Sequence, residues 1–288
     1  FVTYTLKFHK CNWVYVMGLD RHYDRAAVDA RRTQEGFRIE TANVRSLIIM
    51  HEDIPKDAAK KVRCDVDGQI VEANDGGSIG LSKSDGRWKA VESARLWRVA
   101  PEKSPGFQGP IDDAFCRPFL CVRGTGTPWH ASLGHHADGE LDRFGRTWDK
   151  YLRGKLPVKD DTAVTDEDIR GNNLILFGDP SSNSLIAKVL PKLPLTWTKD
   201  RVAFGDIAGD AATHVPVLIQ PNPLRPGRYI VLNSGHTFHD DAFQGTNALL
   251  YPRLGDYALL QLAPTARDPL ATRIVTAGLF DEFWKLPK

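Results

Sequence analysis

Residues 173–183, Asn-Leu-Ile-Leu-Phe-Gly-Asp-Pro-Ser-Ser-Asn, place polar side chains directly after an apolar run. The apolar run predicts a buried strand that stops at Gly178, and the following residues predict the start of a helix. In open α/β sheets, ligand sites form where strand ends meet helix starts, because free backbone N–H groups and the helix dipole attract anions and polar atoms. The run predicts where a site lies and leaves its chemistry open. Ordinary capping, in which Asp179, Ser181 or Ser182 binds the free N–H groups at the helix start, is favoured slightly over a backbone cradle for a ligand.

A second group of polar side chains follows the apolar run that ends at Leu232. Residues 233–241 contain two histidines and two aspartates in addition to Asn233 and Ser234. Strand ends in such sheets face a common crevice. We therefore predict one polar cleft, lined by Gly178, Asp179, Ser181, Ser182, Asn183, Asn233, Ser234 and His236.

Serine, histidine and carboxylate side chains in mutual hydrogen-bond reach would make this cleft the active site of a serine hydrolase. That is the alternative to a binding cleft. Its nucleophile would be Ser181, Ser182 or Ser234, and its base His236 or His239. The orienting carboxylate would be Asp112, Asp160 or Asp241.

The histidines also raise the possibility of a metal site, at His236 and His239 or at a second cluster of His135, His136 and Asp138. Neither spacing matches a named metal motif, so we predict no metal and no other cofactor. The four cysteines lack a Cys-x-x-Cys spacing. Cys116 and Cys121 could bridge in an oxidising compartment, although buried free thiols are the favoured interpretation.

A formal Gly-x-Ser-x-Gly match occurs at residues 76–80, with Ser78 in the nucleophile position. A nucleophile elbow requires a buried strand before the serine and a helix after it. The flanking residues here are polar and turn-forming, which indicates a hairpin. We assign no catalytic role to Ser78.

Composition indicates an ordinary globular chain. It has 288 residues, 42% hydrophobic and 26% charged, which is enough for two domains. A net charge of +2 is too mild to predict nucleic-acid or membrane binding. No apolar stretch approaches the ~20 residues that span a bilayer. The sequence opens at Phe1 on a strand-like pattern, which favours a fragment or processed product of a longer chain, or one trimmed to its ordered part.

A composition break at residues 101–106, Pro-Glu-Lys-Ser-Pro-Gly, predicts domains over 1–103 and 104–288. The first domain reads as β-sandwich-like, because short runs rich in β-branched and aromatic residues alternate with turns such as Asp67-Gly68. One helix is expected there, over residues 23–32, which contain no glycine or proline.

Residues 104–288 predict a mostly parallel, three-layer α/β domain of the Rossmann or flavodoxin type. Helices are expected over 137–152 and 185–190, and Thr165 to Asp168 forms a capping-box pattern. Strands are expected over 119–122, 173–177, 215–219, 228–232 and, as the last one, 257–262. Alternation of strands with helices favours parallel pairing with helices on both faces.

Six motifs in this order resemble the C-terminal region of large bacterial proteins classed with the prolyl oligopeptidase family of α/β-hydrolases. Together they extend over nearly the whole chain. They lie at residues 1–6 (Phe-Val-Thr-Tyr-Thr-Leu), 109–115 (Gly-Pro-Ile-Asp-Asp-Ala-Phe), 158–163 (Val-Lys-Asp-Asp-Thr-Ala), 173–183, 231–238 (Val-Leu-Asn-Ser-Gly-His-Thr-Phe) and 251–256 (Tyr-Pro-Arg-Leu-Gly-Asp).

The resemblance implies an accessory region attached to an upstream serine hydrolase domain, which would carry the nucleophile elbow and the triad. It also implies export from the cell. The leading hypothesis is thus a non-catalytic module or fragment of a hydrolase that gives a docking or substrate-facing surface. The alternatives are the stand-alone hydrolase described above and a carbohydrate- or cell-wall-binding module that uses tryptophans such as Trp13, Trp88 and Trp97, although core packing is the commoner role of tryptophan in strands.

Overall fold

The computed structural model describes residues 1–50, 61–74, 76–97, 102–238 and 253–287. The chain divides into two compact units. The first unit contains Phe1–Gln108 and Asp281–Phe283, and the second contains Gly109–Phe280 and Trp284–Lys288. The boundary expected at residue 103 lies inside the first unit.

The first unit consists of two five-stranded sheets, with spatial orders β1-β4-β5-β7-β8 and β10-β9-β6-β3-β2. All neighbouring strands pair antiparallel except β5 and β7. In chain order the elements are β1 (Val2–Thr3), β2 (Lys10–Cys11), β3 (Val14–Leu19), β4 (Ala26–Arg32), β5 (Gly36–Ala42), β6 (Val44–Met50), β7 (Lys61–Val66), β8 (Gln69–Asn74), β9 (Ser78–Ser84), β10 (Arg87–Val91) and the short helix α1 (Ser93–Leu96).

A single hydrophobic core lies between these sheets. Alternate residues of the longer strands point into it, such as Phe37 and Ile39 of β5 and Leu47 and Ile49 of β6. The period of two is what a sheet with one buried face requires. The Asp67-Gly68 turn has positive φ at both residues, 52° and 78°, as a tight two-residue hairpin needs.

The helix expected over residues 23–32 is wrong, because residues 26–32 form strand β4. Ala26 and Val28 are buried, Asp29 is exposed and Arg31 is exposed, which is the alternation of a strand. The good helix propensity of alanine and arginine is overridden by pairing with β5 along the whole strand.

A segment near the C-terminus completes the first unit. Glu282 is buried and its carboxylate accepts hydrogen bonds from the backbone N–H of His22, at 2.7 Å, and from the ring Nδ1 of His22, at 2.7 Å. The other ring nitrogen of His22 lies 3.0 Å from Oε1 of Gln108. These contacts satisfy a buried carboxylate and so hold Asp281–Phe283 against this unit.

The second unit is built on a seven-stranded sheet with the order β12-β11-β13-β18-β17-β19-β20, and a three-stranded sheet, β14-β15-β16, accompanies it. Its elements are β11 (Phe119–Arg123), α2 (Ala131–Leu152), β12 (Val158–Asp160), α3 (Asp166–Gly171), β13 (Asn173–Phe177), α4 (Ser184–Val189), β14 (Thr196–Trp197), β15 (Arg201–Phe204), β16 (Ile207–Asp210), β17 (His214–Pro221), β18 (Tyr229–Leu232), β19 (Tyr257–Leu262) and β20 (Thr272–Gly278).

The predicted fold class is wrong, because the second unit is not a mostly parallel α/β domain. Strands β12, β11, β13 and β18 pair in parallel, whereas β18, β17, β19 and β20 pair antiparallel. Of the described residues, 41% are in strands and 21% in helices. The chain has a β-rich fold of mixed α and β structure.

Short connections explain two of the three antiparallel pairs in this sheet, β17–β18 and β19–β20. Only residues 222–228, Asn-Pro-Leu-Arg-Pro-Gly-Arg, separate β17 from β18, and a parallel crossover needs a dozen residues or more. Likewise residues 263–271 join β19 to β20 as a hairpin. Strand β20 lies beyond 257–262, the strand expected to be the last, and its mostly β-branched run at 272–276 is exposed apart from the half-buried Thr276.

Helix α2 begins at Ala131, six residues before the expected start at 137. Its apolar face buries Leu133, Leu141 and Phe144. The ring of Phe144 lies edge-on to Trp148, at 5.7 Å between ring centroids, and Trp148 lies edge-on to Phe119 of β11. The capping box of α3 is confirmed, because Thr165 and Asp168 exchange side-chain-to-backbone hydrogen bonds.

Candidate functional site

The ends of β13 and β18 bring the two predicted polar segments together. These strands are parallel neighbours, so their carboxyl ends lie at the same edge of the sheet. The N–H of Gly178 donates to Oδ1 of Asn233 at 2.9 Å, and the N–H of Asn233 donates to the carbonyl of Leu176 at 2.9 Å. Asn233 has a φ of 49°, in the left-handed region that asparagine tolerates.

The turn after β13 depends on Gly178. Its φ is 123°, which side chains rarely adopt, and a Cβ there would lie 2.6 Å from Oγ of Ser182. The tight turn folds residues 179–183 back over the strand end. The loop is therefore closely packed against the end of the strand.

Asp179 is fully buried and binds three backbone N–H groups. Its Oδ1 accepts from Ser181 and Ser182, each at 2.9 Å, and its Oδ2 accepts from Trp129 at 2.8 Å. Such charge-assisted bonds compensate a buried carboxylate for lost hydration. The Asp179 carboxylate thus fixes its own loop and the chain just before α2.

Ser182 and Asn183 also bind backbone. The hydroxyl of Ser182 accepts from the N–H of Asp179 at 2.9 Å and donates to the carbonyl of Asp179 at 3.3 Å. The Asn183 amide donates to the carbonyls of Val122 and Phe177, and its oxygen caps α4 by accepting from the N–H groups of Leu185 and Ile186. Both side chains are buried.

Two neighbouring loops that the sequence analysis did not assign to the cleft complete the arrangement. The N–H of Gly126 donates to the carbonyl of Ser182 at 2.8 Å, and a Cβ at Gly126 would lie 2.5 Å from the Ser181 carbonyl. Asp161 accepts from the N–H and hydroxyl of Thr125 and from the N–H of Ser184. We call residues 124–126, Asp161, residues 178–183 and Asn233 the strand-end cluster.

The pKa of the Asp161 carboxyl agrees with its hydrogen bonds to Thr125 and Ser184. Burial alone would raise the pKa of its carboxyl, but the hydrogen bonds from Ser184 and Thr125 outweigh burial and hold that pKa below its ordinary value. The neighbouring Asp160, a candidate orienting group, is exposed and lies 3.8 Å from Arg123. The two aspartates are adjacent in the sequence, and only their contacts separate their roles.

Ser234 and His236 lie on the loop after β18. The hydroxyl of Ser234 donates to the carbonyl of Gly235 at 2.8 Å. The ring of His236 packs edge-on against Phe144, at 5.2 Å between centroids, and stacks on Phe238 at 5.4 Å. His236 is thus part of an aromatic cluster beneath α2.

Asp112 binds the loop after β18, and no hydrogen bond joins its carboxylate to a histidine within the described ranges. It lies on a short turn at Ile111–Cys116 and accepts hydrogen bonds from the N–H and the hydroxyl of Thr237. Burial raises the pKa of its carboxyl, and the bonds from Thr237 oppose that rise. The hydroxyl of Thr237 accepts in turn from the N–H of Arg253 at 2.9 Å.

No serine–histidine relay is present in the described part of the chain. Among residues 1–50, 61–74, 76–97, 102–238 and 253–287, no hydrogen bond joins Ser181, Ser182 or Ser234 to a histidine, and Ser181 is exposed. The other candidates, His239 and Asp241, lie outside the described residues. Ser78 lies in β9 and donates to Oγ of Ser93, in an antiparallel sheet without an elbow.

Metal and thiol candidates are located as follows. Within the described ranges, no group of three or more histidine, cysteine, aspartate or glutamate side chains could hold a metal ion. His135, His136 and Asp138 therefore do not form such a group. Burial lowers the pKa of His136 to about 4.

All four cysteines are free, with Cys116 exposed and Cys121 buried. No helix among the described residues is long and apolar enough to cross a membrane.

Comparison with family models, with curated proteins and with solved structures found no match for this chain. The resemblance to prolyl-oligopeptidase-family proteins therefore has no independent support from these comparisons. Any functional conclusion has to come from the contacts of the chain itself.

Proposed function

We propose that this chain is a non-catalytic binding module. In that role it accompanies an upstream serine hydrolase domain, as the motif resemblance suggests, and gives it a ligand-facing or docking surface. The proposal rests on the hydrogen bonds within the strand-end cluster, which bind its serine and carboxylate side chains to backbone groups. A nucleophilic serine needs its hydroxyl directed at a base, whereas the hydroxyl of Ser182 is bonded to both backbone groups of Asp179.

The carboxylates support the same proposal. An orienting carboxylate in a triad binds the histidine ring, whereas the candidate Asp112 binds the N–H and hydroxyl of Thr237 and the candidate Asp160 lies exposed beside Arg123. Within the strand-end cluster, Asp161 joins Thr125 to Ser184, and Asp179 joins its own loop to Trp129. The cluster thus holds the loops at the sheet edge together, which leaves ligand binding to other surfaces.

The test is covalent labelling of the purified chain with a fluorophosphonate probe, read by intact mass. The proposal expects no adduct and no hydrolysis of an activated ester above background. An adduct that disappears in Ser234→Ala or Ser181→Ala would overturn the proposal and establish the stand-alone hydrolase. Ser78→Ala serves as the matched control, because Ser78 lies in strand β9 and its hydroxyl donates to Oγ of Ser93.

A further inference from the structure

A groove in the first unit has unused polar groups and an aromatic wall. Its volume is about 500 Å³, within the range of small-molecule sites. It lies beside β1 and β4 of one sheet and the β2–β3 hairpin of the other. We call it the Trp13 groove, and its lining is Phe1, Val2, Cys11, Asn12, Trp13, Val14, Arg25, Ala27, Val28, Asp29 and Ala30.

The aromatic wall is held in place before any ligand binds. Trp13 is half-buried against the core, with its ring centroid 5.6 Å from that of Phe37. The guanidinium of Arg32 lies over the same indole at 5.5 Å, within cation–π range. A ring fixed by two neighbours loses little entropy on binding, which favours its use as a contact surface.

The rim of the groove offers hydrogen-bonding groups. Asn12, Arg25 and Asp29 are exposed, and the side chains of Asn12 and Arg25 make no hydrogen bond to any described residue. Asp29 pairs with Arg31 at 3.1 Å on the surface, which leaves carboxylate lone pairs available. The lining carries one basic and one acidic side chain, so the balance favours an uncharged ligand.

We propose that the Trp13 groove binds a neutral carbohydrate chain. A pyranose ring presents an apolar C–H face to an indole and hydroxyl groups to planar amide, carboxylate and guanidinium side chains. This inference rests on the proposed function and adds the ligand class and the site. It concerns residues of the first unit only.

Two other grooves among the described residues of this unit lack that combination. One of about 630 Å³, beside Lys61, Glu72 and Asn74, has no aromatic residue in its lining. One of about 390 Å³, beside Arg38 and Arg63, has only Phe37, whose side chain is 2% exposed. Carbohydrate recognition by stacking therefore favours the Trp13 groove over these two.

The test is binding of the full chain to an array of neutral glycans, followed by titration of cellohexaose, xylohexaose and N-acetylchitohexaose with calorimetry. At least one neutral glycan is expected to bind. Trp13→Ala is expected to weaken that binding at least about tenfold, equivalent to about 1.4 kcal/mol. Trp97→Ala is the matched control, because Trp97 is 51% exposed and does not line the groove. It is expected to change affinity less than about twofold.

A second pair of variants covers a folding failure of Trp13→Ala. Asn12→Gly keeps the left-handed turn, since Asn12 has a φ of 53°, and Arg25→Ala removes an exposed side chain. Each is expected to weaken binding severalfold with an unchanged circular dichroism spectrum. The inference is overturned if no neutral glycan binds, if only peptides bind, or if Trp97→Ala abolishes binding while the groove variants do not. The proposed function fails separately, through fluorophosphonate labelling.

Discussion

The strand-end cluster and the Trp13 groove use similar polar side chains, and they differ in what those side chains contact. Asp179 and Asn183 are fully buried, and their oxygens and amide hydrogens bind backbone groups. Asn12 and Arg25 are exposed at a rim. Buried polar groups must find protein partners, whereas rim groups keep water that a ligand can replace. Polar residues after a strand therefore indicate a ligand site only if the fold leaves some of their hydrogen-bond donors or acceptors available to a ligand.

The largest effect is expected at Asp179. Replacing Asp179 with alanine leaves three backbone N–H groups without their acceptor in a buried loop. We expect a loss of about 3–4 kcal/mol of unfolding free energy, measured by urea denaturation. Asp160→Ala is the control, since its contact with Arg123 is exposed, and it should cost less than about 0.5 kcal/mol. Equal losses in both variants would contradict the difference drawn here.

The next effect concerns the turn at Gly178. Gly178→Ala places a Cβ against Ser182 in a backbone conformation with φ of 123°, and should destabilise the chain by about 2–3 kcal/mol. Gly145→Ala provides the contrast, because a Cβ at this position within α2 meets nothing within 4 Å. It should stabilise the protein by up to about 1 kcal/mol in the same thermal or urea assay. A neutral Gly178→Ala would show that the loop is loosely packed.

Two aspartates should respond to pH with opposite signs. The folded-state pKa of Asp161 lies below the unfolded value of about 3.9, so its contribution to stability is present above that value and is lost as pH falls through the folded pKa. Burial raises the pKa of Asp112, so the folded state takes up its proton more readily and this group favours folding as pH falls.

Urea titrations of wild type, Asp161→Asn and Asp112→Asn between about pH 2.5 and 6 test these signs. The stability difference between wild type and Asp161→Asn should shrink as pH falls. The corresponding difference for Asp112→Asn should move in the opposite direction. Parallel pH profiles for the two variants would disprove the assignment of their bonds.

The smallest effect on folding is expected in the Trp13 groove. Arg25→Ala removes an exposed side chain without a described hydrogen bond, so the unfolding free energy should change by less than about 0.5 kcal/mol. A measured loss above about 1 kcal/mol would mean that this rim residue is structural, like those of the strand-end cluster. That result would remove the distinction between the two regions.

The sequence predicted local structure correctly where a few adjacent residues determine the conformation by themselves. Asp67-Gly68 permits the tight hairpin, and Thr165 with Asp168 caps a helix, so both features are found where the sequence placed them. The apolar run before Gly178 is a buried strand for the same reason. Each depends on neighbours a few residues away in the chain.

The remaining features depend on contacts between distant residues. Residues 26–32 have helix propensity and become a strand because β5 pairs with them. Strands β17 and β18 are antiparallel because residues 222–228 are too few for a crossover between them. Asp179 has the same side chain whether it binds backbone or ligand, and only the positions of Trp129 and Ser182 distinguish these roles.

Amide hydrogen exchange at Trp129, Ser181 and Ser182 tests most directly whether hydrogen bonds to Asp179 keep the strand-end cluster closed. Their N–H groups all donate to the buried Asp179 carboxylate. We expect slow exchange at all three, with free energies of opening close to that of global unfolding, and fast exchange of all three in Asp179→Ala. Fast exchange in the wild-type protein would show an open polar cleft and would contradict the account.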